Sequence, residues 1–541
     1  MPCIHRLPFL TLSFEVNSKK ATIAERAMFS AQTVFEQKSQ MNVLWKISVT
    51  FIFSVLLLAL TAVLSSCAKG GGKSDEADDD NRGCDEQMVR RIDRATLEDK
   101  ILGSWVGQMA GVTWGASTEF RYAGRIIPED EVPQWTPDMI NKGFIQDDLY
   151  VELPFIDAMS EHGVNAGWGA LGDAFRDTNF PLWHANKAAR DNLRNGIFAP
   201  DSGHYANNEH CDDIDWQIEA DFTGAMCPGL DNAAIDIAWR IGHVMNYGDG
   251  VLGGVFIAAM HAESFFADDI MEIVEAGRQA LPQGSKYRLV VDDVISWHDQ
   301  GKTWEQTWQL LQDKWGADDR CPDFSNPPSN DKNIDAKLNG AYVLIGLLYG
   351  GGDIESSMKI AMRCGQDSDC NPSSVGSIMG NWMGFSKIPD KFKAALQSDL
   401  KFLFTDYTLE QVVAANLELS RQVMIQVGAS VQGTGEDEVW IIPSDSEIQP
   451  PILEQWPESE NAPPVLWAHV VSQNGLTVEF EAGATDDDGI LAYEWYFGDL
   501  SRANGARVEH EYSASGTYEI IVYVTDGIGN TSWKAIPVTV P

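Results

Sequence analysis

Positive charge is scarce in this chain. Its 541 residues carry 39 Lys and Arg against 79 Asp and Glu, a formal charge of −40. A general nucleic-acid binder, or a protein that adheres to anionic lipid through its own surface, needs a cationic face to displace counterions. Both classes are therefore excluded. No two of the eight cysteines stand at Cys-x-x-Cys spacing, which argues against a zinc ribbon. Apolar residues are not scarce: 44% are hydrophobic and 22% charged, ordinary values for a large packed core that exclude intrinsic disorder over most of the chain. The length fits roughly two to four domains. Eighteen Trp residues suit deep aromatic packing or a sugar-binding cleft, packing being the commoner use.

The N-terminal region reads as an export signal. Lys46 precedes an almost wholly apolar run from Ile47 to Leu64, and Leu64-Ser65-Ser66-Cys67 follows. That ending resembles the bacterial lipobox, in which Cys67 is acylated and becomes the mature N-terminus. The alternative is a membrane-spanning anchor, for which a run of this length suffices. Residues 1–66 are expected to be a signal region with the true start at Met41. Residues 67–92, rich in Gly, Ser and acid, are expected to be a flexible tether. An acidic run behind a lipidated Cys resembles the surface-export signal of some Gram-negative lipoproteins. The expected location is the outer membrane or cell surface, with the folded domains outside the cytoplasm. Setting aside Cys3 and Cys67, six cysteines remain, enough for up to three disulfides in an exported protein.

From residue 93 to 432 the pattern is mostly helical. Ile101, Leu102, Trp105, Val106 and Met109 recur at helical spacing, as do Leu338, Ala341, Val343, Leu344, Ile345 and Leu348 before Gly350-Gly351-Gly352. Alternating strands are scarce here, so an all-α bundle with long functional loops is expected. Residues 433–462 are acidic and proline-rich and read as a semi-extended linker. From 463 to 541 the period changes to two, as in Leu476-Thr477-Val478-Glu479-Phe480 and in Tyr518 to Val524, which indicates a small Ig-like β-sandwich. Tyr493-Glu494-Trp495-Tyr496-Phe497-Gly498-Asp499, His510-Glu511-Tyr512, Gly516-Thr517-Tyr518 and Val524-Thr525-Asp526 together resemble a PKD domain. The resemblance implies a spacer or weak binding module on a bacterial surface enzyme. Its loop Thr485-Asp486-Asp487-Asp488-Gly489 offers oxygen ligands for Ca²⁺, although acidic loops are more often merely solvated.

Two acidic clusters stand out in the helical region. Gln146-Asp147-Asp148-Leu149 precedes the apolar stretch of Val151, Phe155 and Ile156. Gly365-Gln366-Asp367-Ser368-Asp369-Cys370-Asn371-Pro372 precedes Val375, Ile378, Met379 and Trp382. Asp at a helix start ordinarily caps amides and favours the dipole. Two such clusters about 220 residues apart invite a second reading, in which they converge on one site. Carboxylates ~4 Å apart repel by ~4 kcal/mol at an effective dielectric of ~20. A converged cluster must then take up protons or bind cations, and oxygen ligands select Mg²⁺, Ca²⁺ or Mn²⁺ over zinc.

The helical region that carries these clusters resembles the ADP-ribosylglycohydrolases. Gly103, Gly107, Gly111, Gly115 and Glu119 look like that family's opening helix and glutamate loop. Asp147-Asp148 resembles its first metal motif and Asp367-x-Asp369 its second. Gly242-His243, with Gly253-Gly254 and Ala258-Ala259, resembles its central segment, and Ile388-Pro389 its close. The resemblance implies an orthogonal all-α fold with a two-Mg²⁺ site that hydrolyses glycosidic bonds at ribose. It implies Asp147, Asp148, Asp367 and Asp369 as metal ligands, Gln146 and Cys370 at positions where the family has Thr or Ser, and Glu119 over the site as general base. Cys370, a poor Mg²⁺ ligand, could instead pair with Cys364. Val112 stands where the family has Asp. His243, Asn246, Tyr247, Gly248 and Asp249 are expected to bind substrate; in the acidic patch from Cys211 to Glu219, Asp213 and Asp215 either reach the cleft or lie on a solvated helix. Thr223-Gly224-Ala225-Met226-Cys227-Pro228 replaces a family segment that ends in Arg, which weakens recognition of a pyrophosphate.

The expected function is hydrolysis of a glycosidic bond in an extracytoplasmic sugar or ADP-ribose-like conjugate, dependent on a divalent metal. True ADP-ribosyl-protein hydrolysis and non-catalytic glycan binding by a surface lipoprotein are the alternatives. The expected partners are a small molecule or glycan, and the membrane only through the lipid anchor.

Overall fold

The computed structural model describes residues 89–321, 332–445, 447–457 and 462–541. The export signal, Cys67, the tether and Cys84 lie outside the described residues. Among the described residues no helix is long and apolar enough to cross a membrane.

The chain enters through strand β1 (Val89–Asp93) and turns at once into the helix Arg94–Gly115. Asp93 starts that helix by accepting a hydrogen bond from the Thr96 amide at 2.9 Å, which satisfies one of the amides a helix leaves unpaired at its start. From Gly103 to Gly115 every residue of this opening helix is buried. Its glycines recur every four residues and form one stripe. A Cβ added at Gly103, Gly107, Gly111 or Gly115 would come within 3.0 Å of the backbone carbonyl of Gly380, Gly376, Pro372 or Ser368 respectively. Gly376 and Gly380 reciprocate against Gly107 and Gly103. The opening helix and the helix Cys370–Met383 therefore touch backbone to backbone, a distance only glycine permits. Ser104 and Ser377 hydrogen-bond across the contact at 2.9 Å.

Further helices surround this pair. Asp249–Ser264 and Ala336–Tyr349 are buried nearly all round, as their continuous apolar runs require. The helix Leu409–Gln426 closes the helical body. Strands β2 (Ser430–Gln432) and β3 (Val439–Pro443) then return to β1 in an antiparallel sheet of order β1-β3-β2. Ile92 lies opposite Trp440 in its register, and Trp440 and Ile442 enter the helical core. The segment expected to be a linker is thus docked over much of its length: Trp440, Ile442, Ile452 and Glu454 are buried. Composition marked it as extended, but its apolar side chains find partners on the helical body.

Two packed sheets follow. One has order β4-β5-β8 (Val465–Asn474, Thr477–Thr485, Arg507–Glu511). The other has order β10-β9-β6-β7 (β6 Ile490–Tyr496, β7 Arg502–Asn504, β9 Gly516–Asp526, β10 Thr531–Val540). Along β9, Ile520, Val522 and Val524 fill the sandwich, while Ile521 and Tyr523 join the helical core. Successive strand residues face opposite sides, so this strand serves two cores at once. Tyr496 stacks on Trp239 at 4.0 Å, and Tyr523 meets Trp239 edge-on at 4.8 Å. The β-sandwich is therefore seated on the helices, not held away as a spacer.

The glycine stripe yields a paired test. Gly107→Ala should destabilise the fold by about 1–3 kcal/mol or more, because the new methyl meets a backbone carbonyl that cannot rotate away. Gly169→Ala lies in the helix Trp168–Arg176, and its Cβ meets nothing within 4 Å. It should be neutral or stabilising by up to about 1 kcal/mol. Urea titrations of the two variants against wild type check the contrast.

Candidate active site

The opening helix organises both acidic loops. Gly115 packs on the backbone of Ser368 and Asp369. Gln108 donates to the Asp148 carbonyl at 3.3 Å and to Glu152 at 2.7 Å. Asp147 and Asp148 open the short helix Asp147–Tyr150, while Asp369 immediately precedes the helix Cys370–Met383 without a capping hydrogen bond. The glutamate loop joins them through Thr118 Oγ1 and Ser368 Oγ, 2.8 Å apart, and through the Phe120 amide, which donates to the Gln366 carbonyl at 3.0 Å. Gln366 holds a left-handed φ of +55° immediately before Asp367. For a side-chain-bearing residue this costs of order 1–3 kcal/mol, and such strain gathers at functional sites.

These loops meet at a cleft of about 330 Å³. Glu119, Gln146, Asp147, Asp367, Asp369 and Cys370 line it, together with Asp215 and Glu219 from the far wall. Asp148 lies buried just beneath, with its Oδ2 3.4 Å from the Cys370 thiol. Ile214, Ile218, Ile334 and Cys370 form an apolar patch against which Phe120 packs. Trp183, 51% exposed, stands at the cleft's edge. Among the described residues no Lys or Arg lines the cleft; Lys332 stands beside its mouth, 5.0 Å from the centre of the Phe120 ring.

The cluster is electrostatically frustrated. Burial raises Asp147 to about 6, and the Asp367 charge adds to the rise. Burial, then the Asp147 charge, lifts Asp148 well above the usual carboxylate range. Burial, then Asp367, Glu119 and Asp148, does the same to Asp369. Burial also raises Asp367, partly offset by hydrogen bonds with Asp369 and Cys370. Glu119 is exposed at the mouth yet flanked by protein, and burial with the Asp367 and Asp147 charges brings it to about 7. Burial takes Asp215 to about 7 as well. Oδ1 of Asp148 and Oδ1 of Asp367 are buried without a hydrogen-bond partner. Orphaned carboxylate oxygens with no lysine or arginine lining the cleft are what a divalent cation would satisfy, and an all-oxygen donor set suits Mg²⁺, Mn²⁺ or Ca²⁺.

The other expected site residues divide. Gln146 lines the cleft and its side chain makes no helix cap. The Cys370 donor atom lies within 4.8 Å of those of Asp367 and Asp369. Burial keeps its thiol protonated, so it donates to Asp148 and suits a hard cation poorly. The disulfide expectation is corrected: Cys211, Cys227, Cys321, Cys364 and Cys370 are free, and Cys370 does not pair with Cys364.

The expected substrate-binding run is also corrected. His243, Asn246, Tyr247, Gly248 and Asp249 do not line the cleft. His243 receives no access to ligand because its Nδ1 lies 2.6 Å from the Trp239 carbonyl and its Nε2 3.0 Å from Glu454 of the docked segment. Asn246 donates to the Cys211 and Asp213 carbonyls, Tyr247 meets Thr531 of the sandwich at 2.9 Å, and the Gly248 amide donates to Glu454. Asp249 accepts from the Tyr287 amide at 3.3 Å. The sandwich and the segment that leads into it cover this run. Asp215 does reach the cleft, whereas Asp213 does not line it and is fully buried against His184 and His210. Glu219, from the same acidic patch, lines the cleft beside it, and so do Trp183 and His184, which come from a segment that carries no recognisable motif.

Linkage gives the site a measurable signature. Carboxyls whose folded pKa lies above the unfolded value stabilise the fold only while protonated, so stability is lost as pH rises through the folded value. Without metal, stability should therefore fall between about pH 4 and 7, the window set by Asp147, Asp215 and Glu119. Added divalent cation should restore most of that loss at pH 7–8. Thermal melts across this range, with and without chelator, read both effects.

Comparison with known proteins follows the same division. The ADP-ribosylglycohydrolase family model matches residues 93–424, and the PKD domain model matches residues 461–540. Collagenase ColA of Clostridium perfringens (strain 13 / Type A) is 40% identical over 79 residues, which are 13% of this chain and 7% of the collagenase. Among solved structures, the PKD1 domain of Vibrio anguillarum Epp is 28% identical, covering 15% of this chain and 96% of that one, with a TM-score of 0.14. The PKD1 domain from Vibrio cholerae metalloprotease PrtV is also 28% identical, covering 15% of this chain and 98% of that one at a TM-score of 0.14. An ADP-ribosylglycohydrolase-related protein complex is 17% identical over 61% of this chain and 99% of that one, with a TM-score of 0.40. With the family match spanning more than half of its length, the chain belongs to the ADP-ribosylglycohydrolases, hydrolases that act on glycosyl bonds, and carries a C-terminal PKD domain.

Proposed function

We propose that the protein is a divalent-cation-dependent hydrolase of an uncharged sugar or nucleoside-like conjugate, working outside the cytoplasm from a lipid anchor at Cys67. The observation that carries this reading is that Asp147, Asp367 and Asp369 line one cleft with Asp148 buried just beneath, the Oδ1 atoms of Asp148 and Asp367 being left unpartnered. These four, with Gln146, are the residues that would hold the cations, with Mg²⁺ first and Ca²⁺ or Mn²⁺ fitting the same donors. When bound, such ions supply a Lewis-acid hold on vicinal hydroxyls and a water.

The chain's own groups account for the remaining steps. Glu119, poised near neutrality at the mouth, is placed to take a proton from the attacking water. Asp215, raised to a similar value on the far wall, fits the partner that protonates the leaving group. The glycosidic bond then breaks through an oxocarbenium-like state, whose positive charge suits a cleft lined by carboxylates. Ile214, Ile218 and Ile334 exclude water beside a sugar ring. Trp183 offers a flat apolar surface at the edge.

The same lining favours an uncharged substrate over ADP-ribose. Among the described residues the cleft lining holds six carboxyl groups and no Lys or Arg. A pyrophosphate ordinarily calls for cationic donors.

Two measurements test the reading. Purified protein with Mg²⁺, Mn²⁺ or Ca²⁺ should cleave neutral ribosides or other neutral glycosides, lose activity with chelator, and turn over ADP-ribosylated arginine or protein at least tenfold less efficiently in kcat/KM. Equal or better turnover of the ADP-ribosyl substrates would reverse the substrate assignment. Glu119→Gln should lower kcat by about 10²–10⁴-fold with a melting temperature no lower than wild type, and wild-type kcat in that variant would remove Glu119 as the base.

A further inference from the structure

Beside the all-oxygen cluster, the cleft wall holds a group of different chemistry. His184 opens the helix His184–Arg194 and faces the cleft. His210 and Asp213 come from the loop that leads to Asp215. His184 Nδ1 lies 3.2 Å and His210 Nδ1 2.9 Å from the same oxygen, Oδ2 of Asp213. The ligand atoms of all three residues fall within 4.8 Å of one another. Asp213 is fully buried, and its Oδ1 has no hydrogen-bond partner. Two imidazoles serving a carboxylate by hydrogen bonds alone would be better spread over its two oxygens. Here one oxygen is crowded and the other is orphaned inside the protein, where an unpaired polar atom costs about 1–3 kcal/mol.

We propose that His184, His210 and Asp213 form a second metal site, selective for a zinc-class cation, in the wall of the cleft. Zinc binds imidazole nitrogen at about 2.0–2.1 Å and carboxylate oxygen at about 2.0–2.2 Å. Tetrahedral ligands at those lengths stand roughly 3.3 Å apart, close to both separations seen here. Two imidazoles and a carboxylate suit Zn²⁺ or Co²⁺ far better than Mg²⁺ or Ca²⁺, which prefer the purely oxygen donors across the cleft. One cleft would then hold two classes of cation, sorted by ligand chemistry. The proposal stands apart from the assigned hydrolysis, because it involves none of the four aspartates that carry that reading.

Cobalt spectroscopy tests it on the unmodified protein. Metal-stripped wild type, titrated with Co²⁺ in excess Mg²⁺, should develop the intense visible absorption of nitrogen-ligated, low-coordinate cobalt. Equilibrium dialysis against zinc in excess Mg²⁺ should leave one zinc on wild type and on Asp369→Asn, and none on His210→Ala or Asp213→Asn. The melting temperature of each variant with Mg²⁺ shows whether it is folded. Absence of the cobalt band in wild type overturns the proposal whatever the variants do. So does zinc retained equally by folded His210→Ala, in which case the three residues are a hydrogen-bonded triad only.

Discussion

A single backbone-to-backbone contact holds this site together. Along one stripe, Gly103, Gly107, Gly111 and Gly115 bring the opening helix against the carbonyls of the helix that begins at Cys370. The same helix holds the Asp148 carbonyl through Gln108. One rigid element therefore touches both acidic loops and forces them to share a cleft. Separated helices would let the carboxylates relax apart into water. Close packing denies them that, and the cost appears as raised pKa values and orphaned oxygens. Stability and function pull against each other here, as expected where a site is built to be completed by a cation.

The C-terminal sandwich belongs to the same compact body. Its β9 strand places Ile521 and Tyr523 into the helical core while Ile520, Val522 and Val524 build its own. Glu454, from the segment before it, is buried against His243, and Thr531 hydrogen-bonds Tyr247. The central helical segment around His243 thus serves as a docking surface for the sandwich. That arrangement explains why these residues are polar and aromatic without lining the cleft.

Much of this was readable from residues alone. Asp-Asp and Asp-x-Asp before apolar helical stretches mark the two acidic loops, and the change from period 3.6 to period two marks the sandwich. The glycine spacing every four residues was visible too, but not its partner, because Gly376 and Gly380 lie some 270 residues away. Trp183 and His184 carry no local signal; only tertiary packing brings them to the cleft, whereas Asp215 stands in an acidic run that the sequence does show. The run from Asn246 to Asp249 misled because glycine and polar residues mark loops without saying what covers them. The proline-rich segment misled in the same way: Trp440, Ile452 and Glu454 are single residues in a polar stretch, and their burial depends on surfaces built elsewhere.

Isothermal titration calorimetry of the metal-stripped protein with Mg²⁺ and Mn²⁺ tests the central claim most directly. Wild type should bind with measurable heat and release protons as the raised carboxyls ionise, seen as a dependence of the heat on buffer. Asp147→Ala/Asp369→Ala, folded by circular dichroism, should bind at least one ion fewer. No binding by wild type, or identical isotherms for the two proteins, would contradict the account.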